Sequence, residues 1–151
     1  MTRQRSTVVG DLVGSTRSEL ATRFGAGTVG AVPHGRGRGT VLLGTGGVLA
    51  RCAAAAAYAV AWRGKVVNAP AGRLKNLITP LAVPAVAAAV YPAPSWHDGN
   101  PCIVLDYSRT SLVAHWVRDE IREVAGRTYL GQVFVRGHKL LHFTLTFPPL
   151  G

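Results

Sequence analysis

Leu140-Leu141-His142-Phe143-Thr144-Leu145-Thr146-Phe147 alternates strictly: Leu141, Phe143, Leu145 and Phe147 are apolar, while Leu140, His142, Thr144 and Thr146 share the other parity. Successive side chains of a strand point to opposite faces, so this period of two predicts a strand with one greasy wall and one mixed wall. Moving outward, similar short runs separated by Pro and Gly predict strands at Lys65–Asn68, Arg73–Thr79, Val86–Tyr91, Cys102–Tyr107, Thr128–Val135 and Lys139–Phe147. The connections are too short for helical crossovers, which favours antiparallel neighbours. The expected fold is mainly β: an antiparallel meander of about six to eight strands, as a strongly curved sheet or a closed barrel.

Two segments point to helix. Val48 to Trp62 is alanine-rich with Leu49, Tyr58 and Val60 interspersed, and Gly64 is a plausible stop. Ser111 to Ala125 is ambiguous. As a helix, Ser111 caps it, Leu112, Val113, Trp116, Val117, Ile121 and Val124 form one apolar face, and Gly126 ends it. As a strand, charges fall on both faces, so helix is expected through Trp116, with conversion to strand by Ile121. Residues 1–47 read as a flexible Gly/Arg-rich arm, with a helical turn or two over Ser18–Phe24 and a short strand at Thr40–Leu43. Residues 48–151 read as the helix-plus-barrel domain.

The chain of 151 residues suits one core. Its net charge of +10 is lopsided: residues 1–97 hold eleven Lys/Arg against two acids, and residues 98–151 hold six against five. Such a balance favours anionic partners, although a GC-rich genome produces the same bias. The segments carrying it have limited specificity. Arg36 and Arg38 lie in a short glycine–arginine tract that suits RNA or a solvated tail, and Lys65, Arg73 and Lys75 extend a basic face or line two strands outside. Cys52 and Cys102 lack CxxC spacing, no apolar run approaches a membrane span, and no signal-peptide pattern follows Arg3 and Arg5, so a cytoplasmic setting is expected.

Several familiar sites are argued against. Gly25-Ala26-Gly27-Thr28-Val29-Gly30 has GxGxxG spacing but neither a preceding strand nor the acid about twenty residues on, so a loop is expected. The five histidines form no HxH or HExxH pattern, which argues against a metal, and no serine-hydrolase elbow or Walker lysine occurs. No cofactor is expected.

What remains is acid–base chemistry. Asp106, inside an aliphatic strand, shares a parity with Cys102 and Val104; Gln132 shares one with Leu130 and Phe134. If these faces and that of His142 turn inward, Asp106, Gln132 and His142 enter a ligand cavity; otherwise they face outward. In the first case Asp106 is the acid or base, Tyr107 and His142 donate hydrogen bonds, Arg118 or Arg122 clamps an anion, and Trp62, Trp116, Phe134 and Gln132 line the substrate. Asp119-Glu120 is a second candidate acid–base pair; in the structural alternative, Arg118, Asp119, Glu120, Arg122 and Glu123 pair with one another.

The helix followed by a short-turn meander, with Trp62-Arg63-Gly64-Lys65 entering the first strand and Leu130-Gly131-Gln132-Val133-Phe134-Val135 near the end, resembles a small calycin or lipocalin-like barrel over about residues 48–148. Trp62 precedes Gly64 where that family has Gly-x-Trp, so no family site residue is carried over. The resemblance implies a small hydrophobic or polyketide-like ligand, and a cofactor-free isomerase or cyclase of secondary metabolism. The alternative is a non-enzymatic module whose basic N-terminal half binds nucleic acid or an anionic surface. Leu112, Trp116 and Phe147 are further candidates for a protein interface, a homodimer included.

Overall fold

The computed structural model describes residues 2–42, 62–78, 83–110 and 115–149. Two helices, α1 (Thr2–Val13) and α2 (Arg17–Ala26), precede eight strands: β1 (Gly35–Leu42), β2 (Trp62–Asn68), β3 (Arg73–Ile78), β4 (Val83–Pro94), β5 (Pro101–Asp106), β6 (Val117–Ala125), β7 (Thr128–Val135) and β8 (His138–Thr146). Each strand pairs antiparallel with the next, and β8 returns to β1, so the meander closes into a barrel without sheet edges. Residues 48–61 of the alanine-rich segment lie outside the described residues. Trp62, expected as that helix's last residue, is the first residue of β2.

Side-chain parity sorts the wall into two environments. Val67, Leu74, Val90, Leu105, Ile121 and Phe143, from six different strands, join one buried cluster that only the barrel interior lets them share. The opposite parity supplies Leu42, Cys102, Val104 and Leu130, which pack outside the barrel against Leu12 of α1 and Leu20 and Phe24 of α2. A capping box starts α2: the Thr16 hydroxyl accepts from the Glu19 amide and the Glu19 carboxylate accepts from the Thr16 amide, both at 3.1 Å. The helices thus cover the outer face of β5–β7 and the end of β1.

The glycine–arginine tract enters the barrel as β1. Gly37 faces inward, where a Cβ would come within 2.6 Å of the Phe147 ring, while Arg36 and Arg38 face water. Phe147, with Tyr129 edge-on at 5.8 Å, plugs that end of the barrel, and the Tyr129 hydroxyl donates to the Ala31 carbonyl at 2.7 Å. Phe147 is therefore core rather than an exposed interface residue.

His115–Trp116, expected to be helical, form a turn, and residues 117–125, open between helix and strand from sequence, are strand throughout. Residues 111–114 lie outside the described residues. β7 pairs along β6 on one side, and on the other β5 pairs with Arg118–Ile121 and Thr28 with Glu123, so its backbone finds partners on both sides. Its two charged faces are tolerated because each finds partners: Asp119 meets Lys65 inside, while Glu120 and Arg122 meet the 95–100 loop outside.

Candidate functional site

The C-terminal ends of β1, β3, β5 and β7 and the N-terminal ends of β2, β4, β6 and β8 lie at one end of the barrel, a consequence of eight antiparallel strands in sequence order. Near that end Tyr107 directly follows β5 and Asp119 is the third residue of β6. Both point inward, because they alternate with the outward residues Asp106, Arg118 and Glu120. Lys65 points inward from β2, four strands around the ring from β6, and so reaches across the lumen.

The three side chains meet there. The Lys65 ammonium donates to the Tyr107 hydroxyl at 2.7 Å and to Asp119 Oδ2 at 3.0 Å, and the Tyr107 hydroxyl donates to the same Oδ2 at 3.2 Å. Lys65 is only 1 % exposed and lies 5.4 Å from the centre of the Phe143 ring. Burial pushes its pKa below the usual lysine value, with the Asp119 charge and hydrogen bond opposing the shift. Asp119 Oδ1 is buried with no hydrogen-bond partner among the described residues. The lumen therefore holds a cation, a phenol and a carboxylate with one uncommitted oxygen, a combination able to move a proton and stabilise a developing oxyanion.

The sequence offers Asp119, together with Glu120, as a candidate acid–base pair, but it does not point to Lys65 as the partner. Read locally, Lys65 joins Arg73 and Lys75 in a basic face or on the outer side of two strands, yet it shares a parity with Val67 and points inward, whereas Arg73 and Lys75 face water. Asp119 shares a parity with Val117 and Ile121, and that was the available signal for an inward carboxylate.

The face carrying Asp106, Gln132 and His142 is the outer wall. Asp106 accepts from the Tyr91 hydroxyl at 2.6 Å and from the Ser108 amide at 2.9 Å. Burial alone would raise its pKa, but these hydrogen bonds hold it below the usual value. Asp106 and His142 lie three strands apart on that wall, and Tyr107 faces the opposite way, so these three residues do not converge.

Gln132 and His142 are brought together as cross-strand partners and both are buried. Neither the Gln132 amide nor His142 Nε2 has a partner among the described residues. Burial drives the His142 pKa down from 6.5 to about 3, helped by Lys139, Arg17 and His97. A folded pKa below the unfolded one makes the histidine contribution complete above about 6.5 and progressively lost as pH falls towards 3. Stability is therefore expected to drop by about 2 kcal/mol between pH 7 and pH 4.5 on account of this residue. Urea unfolding at both pH values checks this: His142→Leu should flatten the profile by that amount, and an unchanged profile would refute it.

The remaining residues hold the architecture. Arg118 Nε donates to Glu120 Oε2 at 3.1 Å, and the guanidinium stacks 4.3 Å from the centre of the Trp96 ring, which Phe134 meets edge-on at 5.5 Å. Glu120 also accepts from Ser95 Oγ at 2.5 Å and the Trp96 amide at 2.8 Å. Arg122 donates to Asp98 at 2.7 and 2.6 Å and to the Phe24, Asn100 and Pro101 carbonyls, tying α2 and the 95–100 loop to β6. These guanidinium bonds hold the Asp98 carboxyl well below its usual pKa. Trp116 is 50 % exposed under the Arg136 guanidinium, and for Trp62 only its place in β2 is described. Burial raises the Cys102 thiol to about 11, which leaves it a poor nucleophile.

Among the described residues no three His, Cys, Asp or Glu side chains come together to hold a metal ion, and no helix is long and apolar enough to cross a membrane. No known protein family and no curated protein matches the sequence. A crystal structure of a protein from Thermomonospora curvata is similar over 97 % of both chains, with a TM-score of 0.66 at 15 % identity, and this likeness shows the fold. The chain is thus a closed eight-stranded antiparallel barrel, consistent with a calycin-like architecture and compatible with small-molecule binding.

Proposed function

We propose that the barrel binds a mostly apolar metabolite bearing a carbonyl group and catalyses its cofactor-free isomerisation or cyclisation. The observation that carries this reading is the lumen cluster of Lys65, Tyr107 and Asp119 with Asp119 Oδ1 uncommitted. In this scheme Oδ1 removes the proton α to the carbonyl, and Tyr107 and Lys65 donate to the enolate oxygen that forms. The same carboxyl returns the proton at the new carbon, so nothing is gained or lost overall. Aliphatic and aromatic walls keep water away and strengthen those hydrogen bonds. Asp106, Arg118 and Arg122 lie outside the lumen and take no part.

Tyr107→Phe tests the scheme because it removes one hydroxyl and preserves ring packing. With a cyclic β,γ-unsaturated ketone as probe, wild type is expected to form the conjugated isomer, followed by its ultraviolet absorbance, and the variant to do so at least tenfold more slowly. Native mass spectrometry of the full chain with the same ketone reads binding separately from turnover. Neither binding nor conversion by wild type, or equal turnover by the variant, would overturn the reading.

A further inference from the structure

We propose that the outer face of β1–β3 binds the phosphate backbone of double-stranded nucleic acid, independently of the lumen. Arg36, Arg38, Arg73 and Lys75 all point outward there and are exposed. The register aligns Arg36 with Val66 and Val66 with Lys75, so Arg36 and Lys75 flank one strand, about 10 Å apart at two strand spacings. Arg38 lies about 7 Å further along β1 in one direction, and Arg73 about 7 Å along β3 in the other. The four cations form a diagonal track across the sheet.

Among the described residues nothing neutralises this track. The sequences of β1, β2 and β3 contain no Asp or Glu, and none of the four cations has an ion pair among the described residues. Asp106, the acid reached by following the row Arg73–Ala89–Asp106, lies two strands beyond Arg73 and is bonded to Tyr91 and Ser108. Helices α1 and α2 pack elsewhere, against Leu42, Cys102, Val104 and Leu130. Like charges gathered on adjoining strands destabilise a sheet, and an anion with regularly spaced charges removes that cost.

The occupant follows from the chemistry. Guanidinium groups hold phosphate through paired N–H donors, and here the sheet fixes their spacing. The exposed aromatic beside the track among the described side chains, Tyr91 of β4, is tied through its hydroxyl to Asp106 at 2.6 Å, and one such ring does not make the row of stacking platforms that single-strand binders use. Among the described side chains of β1–β3, Val66 at 37 % is the exposed large apolar group, too little for membrane insertion. Backbone contact without base readout remains, and a duplex offers the denser phosphate array.

Fluorescence anisotropy of the full-length protein with a labelled mixed-sequence 20-base-pair duplex, titrated from 50 to 300 mM NaCl, tests the proposal. Four phosphate contacts predict a slope of log Kobs against log[salt] between about −3 and −4. Arg36→Gln/Arg38→Gln and Arg73→Gln/Lys75→Gln should each roughly halve it and weaken binding at least tenfold at 50 mM, with circular dichroism unchanged because all four side chains are exposed. Absence of binding at 50 mM salt, an unaltered slope in both variants, or displacement of the duplex by phosphatidylserine vesicles would overturn the proposal. Tyr107→Phe should bind the duplex like wild type, which separates this surface from the lumen.

Discussion

Replacement of Lys65 by Met is expected to destabilise the protein by about 3–5 kcal/mol, the cost of leaving one member of a buried ion pair without its partner. Lys65 is fully enclosed, and the Asp119 carboxylate it pairs with is nearly so. Tyr107 alone then faces a charge that has lost its counter-ion in a low-dielectric lumen. A typical domain is stable by only 5–15 kcal/mol, so the loss is a large fraction of the whole. The double variant Lys65→Met/Asp119→Leu removes both charges and should recover most of that stability, since apolar replacements of buried pairs are often neutral or stabilising. Urea midpoints at constant m-value measure both. A single variant within about 1 kcal/mol of wild type would show that the pair carries no such energy. If the double variant is as stable as wild type yet inactive on the ketone probe, the cluster serves chemistry rather than the fold.

Gly64→Ala is expected to abolish the cooperative thermal transition or lower Tm by more than about 10 °C, corresponding to at least roughly 4 kcal/mol for a chain of this size. Gly64 has φ +139°, a conformation that L side chains rarely adopt, at the β2–β3 register shift. Its missing Cβ also matters, because a methyl there would overlap the Gly37 carbonyl oxygen of β1 and press against the Gly39 amide. Both obstacles are backbone, so no rotamer change relieves them. Gly126→Ala, where nothing lies within 4 Å of the new carbon, is the control and should leave Tm nearly unchanged. Equal transitions for both variants would contradict the close approach of β1 and β2.

Strand parity was legible wherever one face is apolar. Leu141, Phe143 and Leu145 do face the core, and Asp106, Gln132 and His142 do share the opposite side. The inward or outward sense of that mixed face was not legible. Leu130, Val104 and Cys102 look like the lining of a cavity, but they contact α1 and α2 on the outside. A sheet wall covered by helices is apolar on both faces, and local alternation cannot distinguish the two. The Thr16–Glu19 box that starts α2 was present in the sequence as T-x-x-E, a signal easily passed over in a glycine-rich context.

Residues 117–125 show the opposite difficulty. Their charges exclude an apolar strand face when considered alone, and an amphipathic helix accounts for the pattern better. The answer depended on partners far away in the chain: Lys65 for Asp119, Ser95 for Glu120 and Asp98 for Arg122. The glycine–arginine tract likewise resembles a solvated tail until Gly37 is set against Phe147 inside the barrel, with Arg36 and Arg38 in water.

The sequence by itself determined the period of the strands that have one apolar face, the antiparallel order and the basic bias of the first two-thirds, because these follow from nearest-neighbour geometry and composition. Tertiary structure alone decided closure, which face became the lumen, and the meeting of Lys65, Tyr107 and Asp119. Residues so far apart share no local signal. They converge because a ring of eight strands puts β2 opposite β6, and the energy of a buried charge depends on what stands across the lumen from it.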